Sequence, residues 1–483
     1  MSDRTGHVSL WHPWQDKPGR YHPLRLYNTL GPFESVESLI ETVASNQYYT
    51  FVSDVMDSEE ISFSESLLTH EKTTPYISKT GSVVALKLRH GKKSGYLIPG
   101  SIWGEKHTLG GKLLKNVHAL FTLFGYEALT PASLSEKVLR ATLPDYAGIS
   151  RPSDMLRRTL LAHSYGGRID RKELREFYPV VYEYDMNKAY LHMSRLVPSP
   201  FSAPIGFYHG NNTRNRFRWH DFAASFTHCN LTVHGTGIHP IQIKDANGDM
   251  DSPVEGENID RWLWDRELRD CLEKGYTLEH VYEGYGWYEM STFLQEWSDI
   301  LWEKYTEVRD EPIAEIIKTM MVGLPGRFLK SPESYTLIHE RDVQKDDMPI
   351  ILKYWQEGKQ ITTPWFIRAE YNLQSAQLTP IGSYIVMACR QALYKAQLEE
   401  HRKGNQLIRS YIDCYSVVLP TTQPDSIGIE RGQWKEKIVE NVYVEENRMI
   451  PANITEMKAP GVTGKERQKL HETYFQSGET TAN

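Results

Sequence analysis

The sequence predicts a mixed α/β (α+β) protein built from several lobes, and three observations carry that expectation. The chain has 483 residues, enough for about two to four lobes with sizeable cores. Short β-branched and aromatic runs recur near the start, around residue 180 and again around residue 410. Between the last two lie longer segments whose apolar residues recur at helical spacing. Apolar content of 40% against 24% charged is the balance of a globular chain and excludes a disordered or fibrous one.

Taken in order, residues 47–100 alternate like strands in "QYYTFVSDVMD", "SVVALKLRH" and "SGYLIPG". Residues 151–175 carry seven Arg or Lys against three acids, whereas residues 245–270 carry nine acids, in a chain of net charge −7. That separation suits a polyanion held in one groove and repelled elsewhere; two solvated faces would read the same by charge. Between the two stretches, "PVVYEYDMNKAYLHMS" (residues 179–194) runs from a strand-like stretch, Val180 to Tyr184, into a segment that can wind into a helix. Asp185 then stands at the C-terminal edge of a strand, where it is either a helix cap or a ligand-binding carboxylate.

In "DEPIAEIIKTMMVGLPGRF" the apolar residues Ile313, Ile316, Ile317, Met320 and Met321 predict an amphipathic helix with Lys318 on another face. A further helix, "SYIVMACRQALYKAQLEEHRK", is predicted after Thr379-Pro380-Ile381-Gly382. Finally "RSYIDCYSVVLP" (residues 409–420) reads as a buried hairpin with one carboxylate, Asp413, at its tip. Two carboxylates from separate strands, Asp185 and Asp413, can hold a pair of divalent ions. Such ions stabilise the attacking and leaving oxygens of an in-line phosphoryl displacement.

The four cysteines, Cys229, Cys271, Cys389 and Cys414, are scattered without C-x-x-C pairs, so buried free thiols are expected rather than a zinc site. There is no run of about 18 uncharged apolar residues to span a membrane. The opening "MSDRTGHVSL" lacks the layout of a signal peptide, so an intracellular protein is expected.

"YDMNKAYLHM" resembles motif A of the family B DNA polymerases (D-x-N-S-L-Y-P-S), "IIKTMMVGLPGRF" resembles motif B (K-x-x-x-N-S-x-Y-G) and "SYIDCYS" resembles motif C (Y-x-D-T-D-S), in the family's order. "LLAHSYGGRID", "LTPIGSYIVMACRQALYKAQLE" and "EMKAPGVTGKERQKL" are most similar to the protein-primed branch of phages and linear plasmids, and the likeness covers residues 115–465. The resemblance implies a right hand of palm, fingers and small thumb with an N-terminal exonuclease-like lobe. Its segments would be an extension (1–45), the exonuclease-like lobe (46–150), palm with motif A (151–205) and an insertion resembling terminal-protein region one (206–300). Fingers with motif B (301–330), an insertion resembling terminal-protein region two (331–372), a fingers helix (373–402), palm with motif C (403–450) and thumb (451–483) would follow.

The activity so implied is DNA-directed DNA synthesis with two Mg²⁺ ions, Mn²⁺ being the alternative, onto a 3′-hydroxyl or onto a protein hydroxyl at initiation. By the same resemblance Asp185, the Met186 carbonyl and Asp413 hold metal, and Tyr190 packs under the incoming sugar. Lys318 and Lys304 meet the triphosphate, Arg390 the template, Gly166 and Gly167 the template backbone, and Lys458 the primer. Without it, Tyr190 is a core aromatic, Lys318 and Arg390 are solvated helix charges, and the glycines make a turn. The implied partners are template and primer DNA, deoxynucleoside triphosphates and a terminal-protein primer, for a monomer in the host cytoplasm with no membrane.

Several positions depart from the pattern. Val322, Gly323 and Pro325 stand where motif B has Asn, Ser and Tyr, and Ser164 replaces a tyrosine. Asp54 and Asp57 in "DVMD" have the wrong spacing for an exonuclease motif, so no proofreading is expected. Tyr415 stands where motif C has its second aspartate, and a neutral phenol is a poor ligand for a hard cation. Strand alternation would put Asp413 and Tyr415 on one face, so that a shifted turn brings Asp413 to the metals. Two other readings stay open: a DNA-binding protein with a broken site, and an untemplated nucleotidyl transferase.

Overall fold

The structure is a computed structural model. It describes residues 8–11, 27–30, 36–45, 49–52, 70–77, 83–99, 103, 110–126, 128, 130–143, 148–164, 166–170, 172–208, 218–244, 250–329, 333–339, 351–354, 365–371, 378–418, 426–446, 448–457 and 464–475. The chain divides into two units, Met1–Tyr146 with Asp299–Ala376 and Ala147–Ser298 with Gln377–Asn483.

Within the first unit the described strands form a nine-stranded sheet in the order Ile351–Tyr354, Trp365–Tyr371, Glu333–His339, Thr73–Ile77, Val83–His90, Lys93–Pro99, Tyr49–Val52, Val8–Trp11 and Tyr27–Leu30. The alternating stretches of residues 47–100 are strands, as predicted. Neighbours run antiparallel except Tyr49–Val52, which lies parallel to Lys93–Pro99. The segment between motifs B and C, residues 331–372, extends this same sheet with its described strands. Its strand Glu333–His339 pairs with Thr73–Ile77, placing Tyr335 opposite Ile77 and Thr336 opposite Tyr76, and so covers an edge that would otherwise present unpaired backbone groups. Asp54 and Asp57 lie outside the described residues.

In the same unit helix Pro131–Thr142 starts at Thr130, whose hydroxyl accepts the Ser133 N–H at 3.1 Å, with proline in the first turn. Helix Ile313–Phe328 lies against it. The predicted stripe Ile313, Ile316, Ile317, Met320 and Met321 is buried, and Glu315, Thr319, Val322 and Gly326 face outward. Gly323 lets the helices approach closely, since a Cβ there would sit 3.2 Å from that of Ala132. Arg327 pairs with Glu136 at 2.6 Å across the contact.

The second unit is organised by a six-stranded antiparallel sheet in the order Arg448–Pro451, Trp434–Glu446, Lys172–Met186, Cys414–Val418, Gln406–Ile412 and Arg168–Asp170. Strand residues alternate in facing. Tyr184, Tyr415 and Val417 therefore pack with Cys389 and Leu393 of helix Thr379–Arg402, while Val181, Ile408, Val439, Val444 and Met449 form a separate cluster. A four-stranded sheet, Ile205–Tyr208, Thr277–Trp287, Ala224–Thr232 and Asn258–Trp264, packs with helix Asp265–Lys274 through Cys229, Leu231, Leu263, Leu268 and Cys271. That helix begins where the Glu267 carboxylate accepts the Trp264 N–H at 3.2 Å. It stops at Gly275, whose φ of +104° suits a residue without Cβ.

All four cysteines are buried free thiols. The C-terminal segment supplies helix Gly464–Phe475, where Tyr474 packs on Tyr443 at 5.4 Å. Among the described residues no helix is long and apolar enough to cross a membrane.

Candidate active site

Asp185 lies one residue from the end of strand Lys172–Met186, with Cys414 opposite it on one side and Lys435 on the other. At the next position the Met186 N–H donates to the Asp413 carbonyl at 2.9 Å. Two carboxylates far apart in sequence are thus joined by one step of a β-ladder. The hairpin closes between Tyr411 and Cys414, leaving Ile412 and Asp413 as its tip. There the Asp413 N–H donates to the Tyr411 carbonyl at 2.8 Å around Ile412, whose φ is +62°. A β-branched residue at positive φ is strained by about 1–3 kcal/mol, a cost the surrounding ladder must hold in place.

Asp413 belongs to the turn. Burial raises the pKa of Tyr190 and Cys389, which pack in the same cluster as Tyr415, and the Asp413 carboxylate raises both further. Tyr415 stands opposite Tyr184 in the ladder and is 1% exposed. Its ring lies 5.2 Å from that of Tyr184 and 5.1 Å, edge-on, from Trp434. Burial pushes its hydroxyl pKa up, and the Glu400 carboxylate bonded to it adds to the rise. Tyr415 is therefore a neutral core ring rather than a cation ligand. Among the described residues no group of three or more His, Cys, Asp or Glu side chains is placed to hold a metal ion.

Tyr190 follows on the short helix Ala189–Met193, entered through Lys188 in the left-handed region at φ +56°. It packs half-buried against the cluster of Met186, Ala189, Cys389 and Tyr415. Burial raises its hydroxyl pKa, and Cys389 and the Asp413 carboxylate raise it further. Met186, Tyr190 and Asp413, all singled out in the sequence, are thus neighbours here.

The paired glycines divide in role. Gly166 is exposed, and a Cβ on it would meet nothing within 4 Å. A Cβ on Gly167 would lie 2.5 Å from the Ile412 Cα. Close approach to the Asp413 hairpin tip requires that glycine.

Arg390 is turned inward rather than being an exposed helix charge. It is 5% exposed; its Nη2 and Nε donate to Glu267 Oε1 at 2.7 and 3.3 Å, and its Nη1 to the Gly166 carbonyl at 3.1 Å. Glu267 was not foreseen. Its one legible signal is its place three residues after Trp264, where an acid caps a helix.

Lys318 and Lys304 belong to the other unit. Lys318 is ion-paired with Glu315 and sits 5.8 Å over the Tyr305 ring. Lys304 pairs with Glu307 at 2.8 Å, a hydrogen bond that raises its pKa. Partly exposed pairs of this kind contribute about 0–1 kcal/mol. Pro325, where the resemblance expects a stacking aromatic, is buried. Lys458 lies outside the described residues.

A family model described as DNA polymerase type B, organellar and viral, matches residues 109–401. The chain belongs to the type B DNA polymerases. It is a DNA-directed nucleotidyltransferase. No curated protein sequence matches the polymerase. Solved structures share its fold: Phi29 DNA polymerase complexed with primer-template DNA and incoming nucleotide substrates is 15% identical at a TM-score of 0.64, covering 92% of this chain and 88% of that one. Phi29 DNA polymerase complexed with single-stranded DNA is 15% identical at a TM-score of 0.60, covering 91% and 84%.

In the polymerase, Gly167→Ala is expected to slow primer extension roughly hundredfold, the scale on which small misplacements act, with DNA affinity unchanged. Gly166→Ala should leave the tip in place. An unchanged single-turnover rate in Gly167→Ala would remove the tip contact from the account.

Proposed function

We propose that the polymerase extends a primer, and at initiation a protein hydroxyl, by template-directed addition of deoxynucleotides with divalent metal, without proofreading. The observation that supports this most directly is the ladder step joining Asp185 to Asp413. The donor set fits Mg²⁺, which is commonly held by one or two carboxylates together with substrate phosphates rather than by an all-protein cage. Asp185, Asp413 and the Met186 carbonyl would hold it, and when bound it would supply charge stabilisation to the reacting phosphoryl oxygens.

The chain's own groups do the positioning. The strained tip at Ile412 fixes where the Asp413 carboxylate stands. The half-buried Tyr190 ring would pack under the incoming deoxyribose, leaving no room for a 2′-hydroxyl. Lys318 and Lys304, each paired with a partly exposed acid, would meet the triphosphate as point charges. Arg390, through the Gly166 carbonyl, holds the glycine loop beside the hairpin.

A second reading, a DNA-binding protein without synthesis, is favoured by one observation: Tyr415, which stands where motif C has its second aspartate, is buried as a core ring. Primer extension on a defined template with Mg²⁺ or Mn²⁺ separates the two. Template-dependent extension supports synthesis; DNA binding with no extension supports the second reading, and extension indifferent to template supports an untemplated transferase. Addition of the first nucleotide to a protein hydroxyl, assayed by label transfer without primer DNA, tests initiation.

A further inference from the structure

The turn that follows Asp185 is gripped by a loop that enters from the other side of the strand's end, ahead of Trp434. Residues 426–433 precede strand Trp434–Glu446 and fold back on themselves. The Trp434 N–H donates to the Ser426 carbonyl at 2.9 Å, the Gly428 N–H to the Trp434 carbonyl at 3.0 Å and the Glu430 N–H to Gln433 Oε1 at 2.9 Å. The loop then exchanges backbone bonds with Asn187: the Asn187 N–H donates to the Gln433 carbonyl and the Gly432 N–H to the Asn187 carbonyl, each at 2.8 Å. The Asn187 side chain reaches further in, its Nδ2 donating to the carbonyls of Ile429 and Glu430.

A second anchor lies beyond the turn. Arg431 Nη1 donates to Ser298 Oγ at 2.6 Å, and that fully buried hydroxyl donates to the Leu191 carbonyl at 3.1 Å. Gly432 lets the loop come this close, because its φ is +85° and a Cβ there would run into the His192 ring. Tyr190 therefore stands on a segment held on both sides, at Asn187 and at Leu191, by the same loop.

We infer that the 426–433 loop is a clamp that sets the position of the Tyr190 ring, with Asn187 and Arg431 as positioning residues for sugar selection. The inference rests on the reading of Tyr190 as the ring beneath the incoming sugar. Neither Asn187 nor Arg431 needs to touch the nucleotide. Loosening either anchor lets the ring move away and admit a 2′-hydroxyl, while the carboxylate ladder at Asp185 stays paired.

The test measures dissociation constants of dATP and of ATP on a dideoxy-terminated primer–template in Mg²⁺, a readout that needs no catalytic turnover. The full chain is compared with Tyr190→Val, Asn187→Ala and Arg431→Ala, each first checked for an unchanged melting temperature. Tyr190→Val should remove the preference for dATP, and the two clamp variants should each narrow it by roughly tenfold, as a displacement well under about 1 Å would do. If Tyr190→Val keeps the wild-type preference, or the wild type has none, the sugar-contact reading fails and the clamp with it. If Tyr190→Val loses the preference while both clamp variants keep it, the clamp alone is overturned. Should Asn187→Ala not fold, Arg431→Ala, which trims only a partly exposed side chain, decides by the same ratio.

Discussion

Asp185→Asn and Asp413→Asn are each expected to lower primer extension by roughly a thousandfold or more, since losing about 4 kcal/mol of transition-state stabilisation has that effect on a rate. The substitution removes a charge while keeping the volume, so the ladder that joins the two positions should survive. The Met186 N–H bonds the Asp413 backbone carbonyl, not its side chain. DNA affinity and melting temperature should accordingly stay near wild type. The double variant should be little worse than either single one if the two carboxylates act on the same ions. Full activity in Asp413→Asn would show that the hairpin tip is not part of the reaction centre. Tyr415→Phe offers the contrasting control: its hydroxyl is turned to Glu400 inside the core, so extension should change little, and a large loss would contradict its assignment as a packing residue.

Arg390→Ala should have the largest effect on stability. Removing one partner of a buried ion pair leaves an uncompensated charge and costs about 3–5 kcal/mol. Here Glu267, 2% exposed, would be that charge, and the Gly166 carbonyl would lose a donor as well. Glu267 also accepts the Trp264 N–H, so the start of helix Asp265–Lys274 would be disturbed with it. Thermal and urea unfolding would read the loss, and its size should depend little on added salt because the pair is screened from solvent. Converting both residues together, Arg390→Met with Glu267→Gln, should recover much of the stability. A single variant within about 1 kcal/mol of wild type would contradict the buried pairing and return Arg390 to a solvent-facing or template-facing role.

The parts of the polymerase legible beforehand are those governed by local period. Alternation in residues 83–99 announced strands, and spacing of Ile313, Ile316, Ile317, Met320 and Met321 announced which side of a helix would be covered, because side-chain direction repeats with the backbone. The two carboxylates were also visible, as lone charges at the ends of apolar runs. Resemblance of three ordered motifs then gave them a chemistry that period alone does not.

Pairing across the chain has no such local mark. Nothing in "SYIDCYS" tells which strand the Asp413 hairpin is brought against; the ladder between Cys414 and Asp185 decides it. Arg390 carries the same pattern whether it meets a phosphate or Glu267, 123 residues earlier. The requirement at Gly167 comes from Ile412 arriving against it. Likewise, the segment between motifs B and C became part of the N-terminal lobe's sheet through contacts at Ile77 and Tyr76. Residue type and spacing thus specified the elements and the chemical groups. The long-range hydrogen bonds and desolvated charges of the packed chain specified which of those groups face one another, because such energies arise only when distant segments meet.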